Sequence, residues 1–276
     1  MNQTMITATN TLSQLQHKMD VISNNVANVN TNGFKKRSAV FTELLAQEFN
    51  NQRVSTQEIG RLTPEHIRVG VGSKVGHTQA SFTQGSIQAT ERELDFAFTS
   101  SNQYLNVLNQ SNTTSEISYT RDGALYVSPV GDGEMLLVDG NGNPLLNAEG
   151  EIISFPNDAK AFTLEENGVL IIETPRGNER IMLGITEIHQ PQYLEQKGDN
   201  LLGLPTTLEV DINTVLTDLL GTERVEISLK QGYLEKSNVD LSKEMTDLIN
   251  AQRSYQFQTK SISMADQMMG LVNGIR

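Results

Sequence analysis

The interpretation of this chain depends on residues 23–35, which read Ser-Asn-Asn-Val-Ala-Asn-Val-Asn-Thr-Asn-Gly-Phe-Lys. Asparagine is a mediocre helix former, so three asparagines close together on one helix indicate amides that hydrogen-bond outside it; they are Asn24, Asn25 and Asn28. Gly33 fits the C′ position that ends a helix, and Phe34 fits C″, from which it would pack on Val29. The stretch predicts a docking segment at a helix end, with a merely solvated asparagine-rich helix end as the alternative.

Upstream of this stretch, apolar residues recur three and four residues apart without a break. They are Met5, Ala8, Leu12, Leu15, Met19, Ile22, Val26 and Val29. This spacing predicts one helix over residues 4–32 that carries an a/d seam for a partner helix. A helix of that length with so narrow an apolar face does not fold alone, so a partner is expected.

A second heptad pattern lies near the C-terminus. Ser237, followed three residues later by Asp240, resembles a capping box that opens a helix of about 36 residues, with Gly274 as its stop. Leu241, Leu248, Tyr255, Ile262 and Met269 recur every seven residues, and Ala251, Ala265 and Val272 fill positions three further on. We therefore predict that the two terminal helices pair as a coiled coil. The candidate assembly interface comprises Leu12, Leu15, Met19, Ile22, Asn24, Asn25, Val26, Asn28, Val29, Leu248, Tyr255, Ile262 and Met269, with Gly33 and Phe34 as the helix stop.

Between the helices the pattern is that of short strands and turns. Glycine- and asparagine-rich turn signals separate short apolar runs such as Leu136–Val138 and Val169–Ile172, as in a β-rich domain. The fold class is therefore predicted to be α+β, with a β-rich middle domain inserted between the helices. The predicted divisions are an N-terminal axial helix (1–33), an extended connector with some helix (34–68), the middle domain (69–205), a return connector with a short helix near 208–220 and a strand at 225–229 (206–232), and a C-terminal axial helix (233–276).

Composition excludes several classes of function. The formal charge of −12 and the pI near 4.8 oppose nucleic-acid binding, which needs a clustered basic face. No window reaches the roughly 18 apolar residues of a membrane span, and the first residues lack the basic and apolar regions of a signal peptide. The chain has no cysteine, so it offers no disulfide and no thiolate ligand.

No pattern of catalytic, cofactor-binding or metal-ligating residues stands out. The four histidines are scattered, and Gly70–Gly76 lacks the sixth-position glycine of a dinucleotide fingerprint. Asp139, Asn141 and Asn143 mimic the start of a calcium loop, but Pro144 replaces its glycine, so a hairpin is the better interpretation. The turn-rich acidic middle leaves one alternative from another class, a secreted β-rich glycan-binding protein or glycosidase.

Residues 23–35 closely resemble the N-terminal signature of the bacterial flagellar rod and hook proteins. The C-terminal segments Gly232–Val239, Ala251–Tyr255 and Ala265–Met269 look like the other end of the same family. Weaker similarities lie between them, at Ser81–Ser86, Glu93–Ala97, Tyr119–Gly123 and Lys197–Leu201. One departure is Ser100–Tyr104, where the family typically has Gly-Asp-Gly-Phe-Phe.

The resemblance implies a structural subunit of the flagellar axial shaft, most like the distal-rod class. Such a subunit would polymerise helically with itself, line the inner tube with its terminal helices and transmit torque from motor to hook around the export channel. The implied partners are neighbouring rod and hook proteins and the flagellar type III export apparatus, and the implied location is the basal body outside the cytoplasmic membrane. A proximal-rod or hook subunit is the alternative within the family, although hook subunits usually carry a larger outer domain.

Overall fold

The computed structural model describes residues 2–43, 46–49, 67–70, 73–111, 114–131, 133–198, 200–205 and 210–274. The fold is α+β, as predicted. The chain divides into two compact units, which we call the helical unit and the β unit. The helical unit comprises Met1–Val26, Arg37–Gln79 and Leu241–Arg276, and the β unit comprises Ala27–Lys36 and Ala80–Asp240.

Two long helices belong to the helical unit: α1 (Asn2–Ala27) and α3 (Leu241–Gly274), α2 being a short helix of the β unit. The predicted C-terminal helix is confirmed, and it ends at Gly274 as expected. Its predicted capping box is wrong, because the helix begins at Leu241 and Ser237 Oγ accepts the N–H of Val239 (3.3 Å). The predicted N-terminal helix is wrong at its C-terminal end, because α1 stops at Ala27 and not near residue 32. The reason lies in the asparagines: Thr31 donates its backbone N–H to the Asn28 carbonyl (3.2 Å) and its hydroxyl to Asn28 Oδ1 (3.1 Å), and these bonds close a turn.

A β-ribbon completes the described part of the helical unit. Strand β1 (Arg37–Glu43) pairs with β4 (Ser73–Ala80), and β2 (Ala46–Phe49) pairs antiparallel with β3 (Ile67–Gly70). The predicted connector is extended in these residues, but the described part of it forms paired strands and no helix. Strands thus begin at Arg37, well before residue 69, where the middle domain was predicted to start. Val40, Phe41 and Thr42 are residue types that favour strands. Residues 50–66 of the predicted connector lie outside the described residues.

The largest element of the β unit is an antiparallel sheet of six strands in the order β16-β17-β8-β7-β15-β18. Its strands are β7 (Gln103–Ser111), β8 (Thr114–Thr120), β15 (Ile185–Ile188), β16 (Glu195–Gly198), β17 (Leu201–Gly203) and β18 (Leu216–Asp218). Two three-stranded sheets accompany it: β9 (Tyr126–Gly131), β10 (Glu134–Val138) and β11 (Ser154–Pro156), and β12 (Ala161–Glu165), β13 (Val169–Thr174) and β14 (Gly177–Met182). The β-rich middle predicted from the turn signals is thus present.

Two short strand pairs bring the C-terminal part of the β unit back onto its beginning. Strand β19 (Leu229–Gln231) pairs with β6 (Phe96–Phe98), and β20 (Tyr233–Glu235) pairs with β5 (Ile87–Ala89). Phe96 and Phe98 of β6 belong to the buried core, to which the six-stranded sheet and both three-stranded sheets also contribute. Its fully buried members include Leu105, Leu125, Leu137, Leu145, Ile153, Leu170, Ile172, Leu183 and Ile185.

The return segment differs in part from expectation. The predicted short helix is present only at Ile212–Val215 (α2), because the following residues Leu216–Asp218 form β18. The strand predicted at 225–229 is a 3₁₀ turn over Gly221–Glu226, followed by β19. Buried Arg224 fixes that turn, because it donates to the carbonyls of Gly168 and Leu183 at 3.1 Å each. These long-range hydrogen bonds stabilise the 3₁₀ turn, although the local apolar alternation is typical of a strand.

Candidate functional site

Glu235, the last residue of β20, holds together four segments of the β unit. Its Oε1 accepts the Lys35 ammonium (2.6 Å) and the Gly85 N–H (2.9 Å). Its Oε2 accepts Arg121 Nε at 2.9 Å, and Arg121 Nη2 lies 2.7 Å away. The three charged side chains are all buried. We call Gly33–Lys36, Gly85, Arg121, Glu235 and Asn238 the signature junction.

Arg121 is held on every side. Its Nη1 donates to the carbonyls of Ser100 (2.9 Å) and Gln103 (2.6 Å), and its guanidinium lies 5.4 Å from the ring centroids of both Phe98 and Tyr104. These contacts hold the Arg121 guanidinium in place independently of its ion pair with Glu235. The departure from the family pattern at Ser100–Tyr104 therefore keeps two carbonyls and a ring in contact with Arg121.

The electrostatics of the junction follow from burial and pairing. Burial alone would raise the pKa of Glu235, but the charges of Arg121 and Lys35 and the bonds from Lys35 and Gly85 hold it below its ordinary value. Burial lowers the pKa of Lys35, and attraction to Glu235 only partly offsets it. Two buried cations therefore share one carboxylate, and removing that carboxylate would leave both uncompensated.

Gly33 brings the signature segment into this junction. It has a φ of +66° and donates its N–H to the Glu235 carbonyl at 2.8 Å. A Cβ on Gly33 would lie 2.7 Å from the Arg121 carbonyl carbon and 2.8 Å from the Asp122 nitrogen. Both the left-handed backbone and the close approach thus require glycine. The positive φ predicted for the glycine is present, but α1 ends six residues earlier, so Gly33 is a turn residue and does not stop the helix.

Asn238 fastens the same segment from the other side. Its Oδ1 accepts the Lys36 N–H (2.7 Å), and its Nδ2 donates to the carbonyls of Ser81 (2.8 Å) and Thr83 (3.0 Å). Asn32 is also engaged, since its Oδ1 accepts from Lys236 Nζ at 3.1 Å. Backbone and side-chain hydrogen bonds therefore hold Asn32–Lys36 within the β unit.

Asp122 adds a titratable group beside the junction. Burial raises its pKa to about 6, and the charges of Asp139 and Asp95 add to this rise. A hydrogen bond from the Ala124 N–H and the charge of Lys236 act in the opposite direction. This carboxyl thus changes charge near neutral pH while folded.

Within the helical unit, the predicted seams are the less exposed faces of both helices. Ala8, Ile22 and Ala251 are buried. Partly buried members are Met5, Leu12, Leu15, Met19, Val26, Leu248, Tyr255, Ile262, Ala265 and Met269, whereas Leu241 and Val272 are exposed. Of the other predicted interface residues, Asn24 is exposed, Asn28 and Val29 are partly buried in the β unit, and Phe34 is buried there.

Asn25 is the predicted residue with the most specific contacts in the helical unit. Its side chain is buried; Oδ1 accepts the Arg37 N–H (2.9 Å), and Nδ2 donates to the Arg37 carbonyl (2.8 Å) and to Glu244 Oε2 (3.1 Å). Glu244 lies in the first turn of α3 and is buried as well. The expectation that the signature asparagines bond outside their helix is thus met at Asn25.

A second apolar stripe on α3 was missed by the sequence interpretation. Phe257, Met264 and Leu271 are spaced seven residues apart and are 71%, 57% and 70% exposed. Their column lies apart from the seam formed by Leu248, Tyr255, Ile262 and Met269. The seven-residue spacing was a signal that could have revealed it.

Glu235 and Arg121 were also missed as a site, because their partners lie far away in the sequence.

The hairpin predicted at Asp139–Asn143 is present. The Asp139 carboxylate accepts the N–H groups of Asn141 and Asn143 at 2.8 Å each, which closes the hairpin expected there. No group of three or more histidine, aspartate or glutamate residues within the described ranges could hold a metal ion. None of the described helices has the length and apolar character needed to cross a membrane.

Comparison with known proteins matches both ends of the chain. Residues 5–35 match the family described as flagella basal body rod protein, and residues 230–275 match the family described as flagellar basal body rod FlgEFG protein C-terminal. The flagellar hook-basal body complex protein FlhP of Bacillus subtilis (strain 168) is 41% identical over 280 residues, covering all of both chains. The flagellar basal-body rod protein FlgG of Borreliella burgdorferi is 32% identical over 281 residues, covering 100% of this chain and 99% of its own. FlgG of Bacillus subtilis (strain 168) is 31% identical over 260 residues, covering 94% and 93%.

Proposed function

The chain belongs to the flagellar basal-body rod protein family, and we propose that it is a rod subunit of the distal type that polymerises helically into the shaft between motor and hook. It is a structural component of the flagellar basal body, in keeping with full-length relatives named as rod and hook-basal body proteins. Its work is assembly, and torque is borne by many repeated interfaces between subunits.

The two apolar columns of α3 are the observation that carries polymerisation. One column, Leu248 to Met269, is partly buried within the subunit, while Phe257, Met264 and Leu271 remain exposed. An exposed apolar stripe of this kind marks a surface that another molecule covers. In a homopolymer the natural partner is a second copy, and a heterologous contact that does not close on itself builds a helical filament.

The seams of α1 and α3 support a coiled coil between the terminal helices, with knobs every three and four residues. We propose that these helices line the inner tube and enclose the export channel, and that the β unit forms the outer layer. Neighbouring rod and hook proteins would contact the shaft at its two ends, and the type III export apparatus would deliver the subunit. The domain divisions at residues 33, 68, 205 and 232 remain predictions.

A proximal-rod or hook subunit is the second candidate within the family. It is favoured by the 41% identity to a protein described as part of the hook-basal body complex. That description does not specify a segment of the rod. The 31–32% identity to two FlgG proteins favours the rod.

Polymerisation is tested by placing a charge on the exposed stripe. Phe257→Asp puts a carboxylate where a neighbour would bury it, which is costly without a counter-charge. Gln256→Asp is the matched control, since Gln256 is also exposed on α3 and the added charge is the same. We expect filaments of the purified chain, seen by electron microscopy and sedimentation, to be lost with Phe257→Asp and kept with Gln256→Asp. Filaments of ordinary length and yield from Phe257→Asp would contradict the proposal.

A further inference from the structure

The helix α3 presents two apolar columns, and in the proposed pairing of the terminal helices one of them must be selected to face α1. From residue 255 onward both columns are apolar at every seventh residue, so apolar burial alone discriminates poorly between them in that half of α3. The two columns lie about 160° apart around α3, because they are offset by two residues at about 100° each. A turn of about 100° would bring the Phe257 column to the place of the Ala251 column and move the Leu248 column out of the seam. A polar contact at a defined point of the helix can make that choice, as a single buried polar residue does in coiled coils.

The geometry points to the Asn25–Glu244 hydrogen bond as the contact that sets the rotation of α3. We propose that this pair turns the Leu248–Met269 column toward α1 and so leaves Phe257, Met264 and Leu271 free for a second copy of the chain. The inference rests on the proposed function for the purpose of the exposed column, but the rotation itself is a property of the single subunit.

The Asn25 amide has no freedom to change its preference. Its Oδ1 is occupied by the Arg37 N–H, so the amide cannot flip without losing that bond, and one Nδ2 hydrogen is used by the Arg37 carbonyl. The remaining Nδ2 hydrogen points at α3 and needs an acceptor, since Asn25 is only 1% exposed. Residue 244 of α3 must therefore supply a hydrogen-bond acceptor to Asn25.

The position of Glu244 on α3 connects this contact to the choice of column. Glu244 lies on the column of Ala251, which is buried, and Ala265, which is partly buried. Lys243, one residue earlier, lies on the column of Phe257, Met264 and Leu271. A carboxylate at 243 in place of 244 would thus satisfy Asn25 only after α3 had turned its exposed column inward.

The test uses single cysteines as reporters, because the natural chain has none. Ile262→Cys reports the seam column, Met264→Cys reports the exposed column, and the rate of maleimide labelling is measured for each in the full-length monomer. In the parent chain the 264 thiol should react faster than the 262 thiol. Each reporter is then combined with Glu244→Gln, Glu244→Leu, or the exchange Lys243→Glu with Glu244→Lys, which conserves composition and net charge.

We expect Glu244→Gln to keep the parent ratio of rates, because its amide oxygen still accepts from Asn25. Glu244→Leu removes the same charge from the first turn of α3 as Glu244→Gln does, but it also removes the acceptor. Its ratio of labelling rates at 264 and 262 should fall toward one. The exchange variant should invert the ratio, with the 262 thiol now the faster. Far-UV circular dichroism checks that α3 remains helical; if the exchange variant loses helix, the contrast between Gln and Leu decides.

An unchanged ratio in a helical Glu244→Leu chain would overturn the proposal, as would equal effects of Gln and Leu. Equal rates at 262 and 264 in the parent would overturn it as well. Because labelling is measured on monomers, these outcomes are separate from filament formation: filaments could form normally while the rotation is set elsewhere, or fail while the ratios behave as expected.

Discussion

Replacing Glu235 by Gln should destabilise the β unit more than any other single change of charge described here. The amide is nearly isosteric, so packing is kept while the negative charge is removed from between Lys35 and Arg121. One carboxylate oxygen becomes an NH₂ donor and faces a donor, either Lys35 with the Gly85 N–H or the Arg121 guanidinium. The variant thus combines two uncompensated buried cations with a clash of donors.

The size of the effect follows from burial. Removing one member of a buried ion pair costs about 3–5 kcal/mol, because the remaining charge is left without compensation. We therefore expect Glu235→Gln to lower the free energy of unfolding by about that amount. Glu116→Gln is the matched control: Lys197 Nζ lies 2.8 Å from Glu116 Oε2, but the two side chains are 26% and 41% exposed. The loss from Glu116→Gln should be far smaller, because water and salt screen an exposed pair.

The assay is urea unfolding of the full chain followed by tyrosine fluorescence. Five of the six tyrosines lie in the β unit, at residues 104, 119, 126, 193 and 233, and the chain has no tryptophan. The pKa of Glu235 is held below its ordinary value, so its contribution is present at neutral pH and is lost as the pH falls through the lowered pKa. The difference between parent and variant should therefore shrink in acid. A loss below about 1 kcal/mol at pH 7, or a loss equal to that of Glu116→Gln, would refute the reasoning.

Three further predictions concern other parts of the chain. Gly33→Ala should lower the free energy of unfolding by about 2–4 kcal/mol in the same assay, because alanine would strain the left-handed backbone and clash with residues 121–122. A loss below about 1 kcal/mol would contradict this. Gly33→Val should also give short or missing rods. Asp122 has a folded pKa of about 6 against an ordinary 3.8, so it favours folding below its unfolded pKa and this contribution is lost as pH rises through 6. Asp122→Asn should therefore gain up to about 3 kcal/mol at pH 8 and little at pH 4, and a gain that is the same at both values would contradict it. Leu15→Asp or Ile262→Asp should abolish swimming while the tyrosine-monitored transition stays at its parent midpoint; motile cells with either variant would contradict the seam.

The two long helices and the β-rich middle could be predicted from the sequence because each depends on local periodicity. The end of α1 was misplaced because Asn28 and Thr31 close a turn, a choice that side-chain hydrogen bonds make and that apolar spacing does not show. The strands at Arg37–Glu43 were missed for a related reason, since a two-stranded ribbon carries only a weak alternating pattern.

The signature junction could not be found from the sequence. Lys35, Arg121 and Glu235 are separated by 86 and 114 residues, and each sits in a segment whose local pattern explains nothing about its charge. Only the pairing of β20 with β5 brings Glu235 beside Gly85 and the signature segment. A buried charge at the end of the short strand Tyr233–Glu235 was the signal available, but its partners depend on the tertiary fold.

The central claim, that this chain builds the distal part of the rod, is tested most directly by cryo-electron tomography of basal bodies in the bacterium that encodes it. A compact tag on the β unit, inserted at the exposed turn Gly140–Gly142 between Asp139 and Asn143, should add density around the shaft between the motor and the hook, and deletion of the gene should remove that part of the shaft together with the hook. Tag density confined to the hook or to the base of the rod, or a complete shaft in the deletion strain, would contradict the assignment.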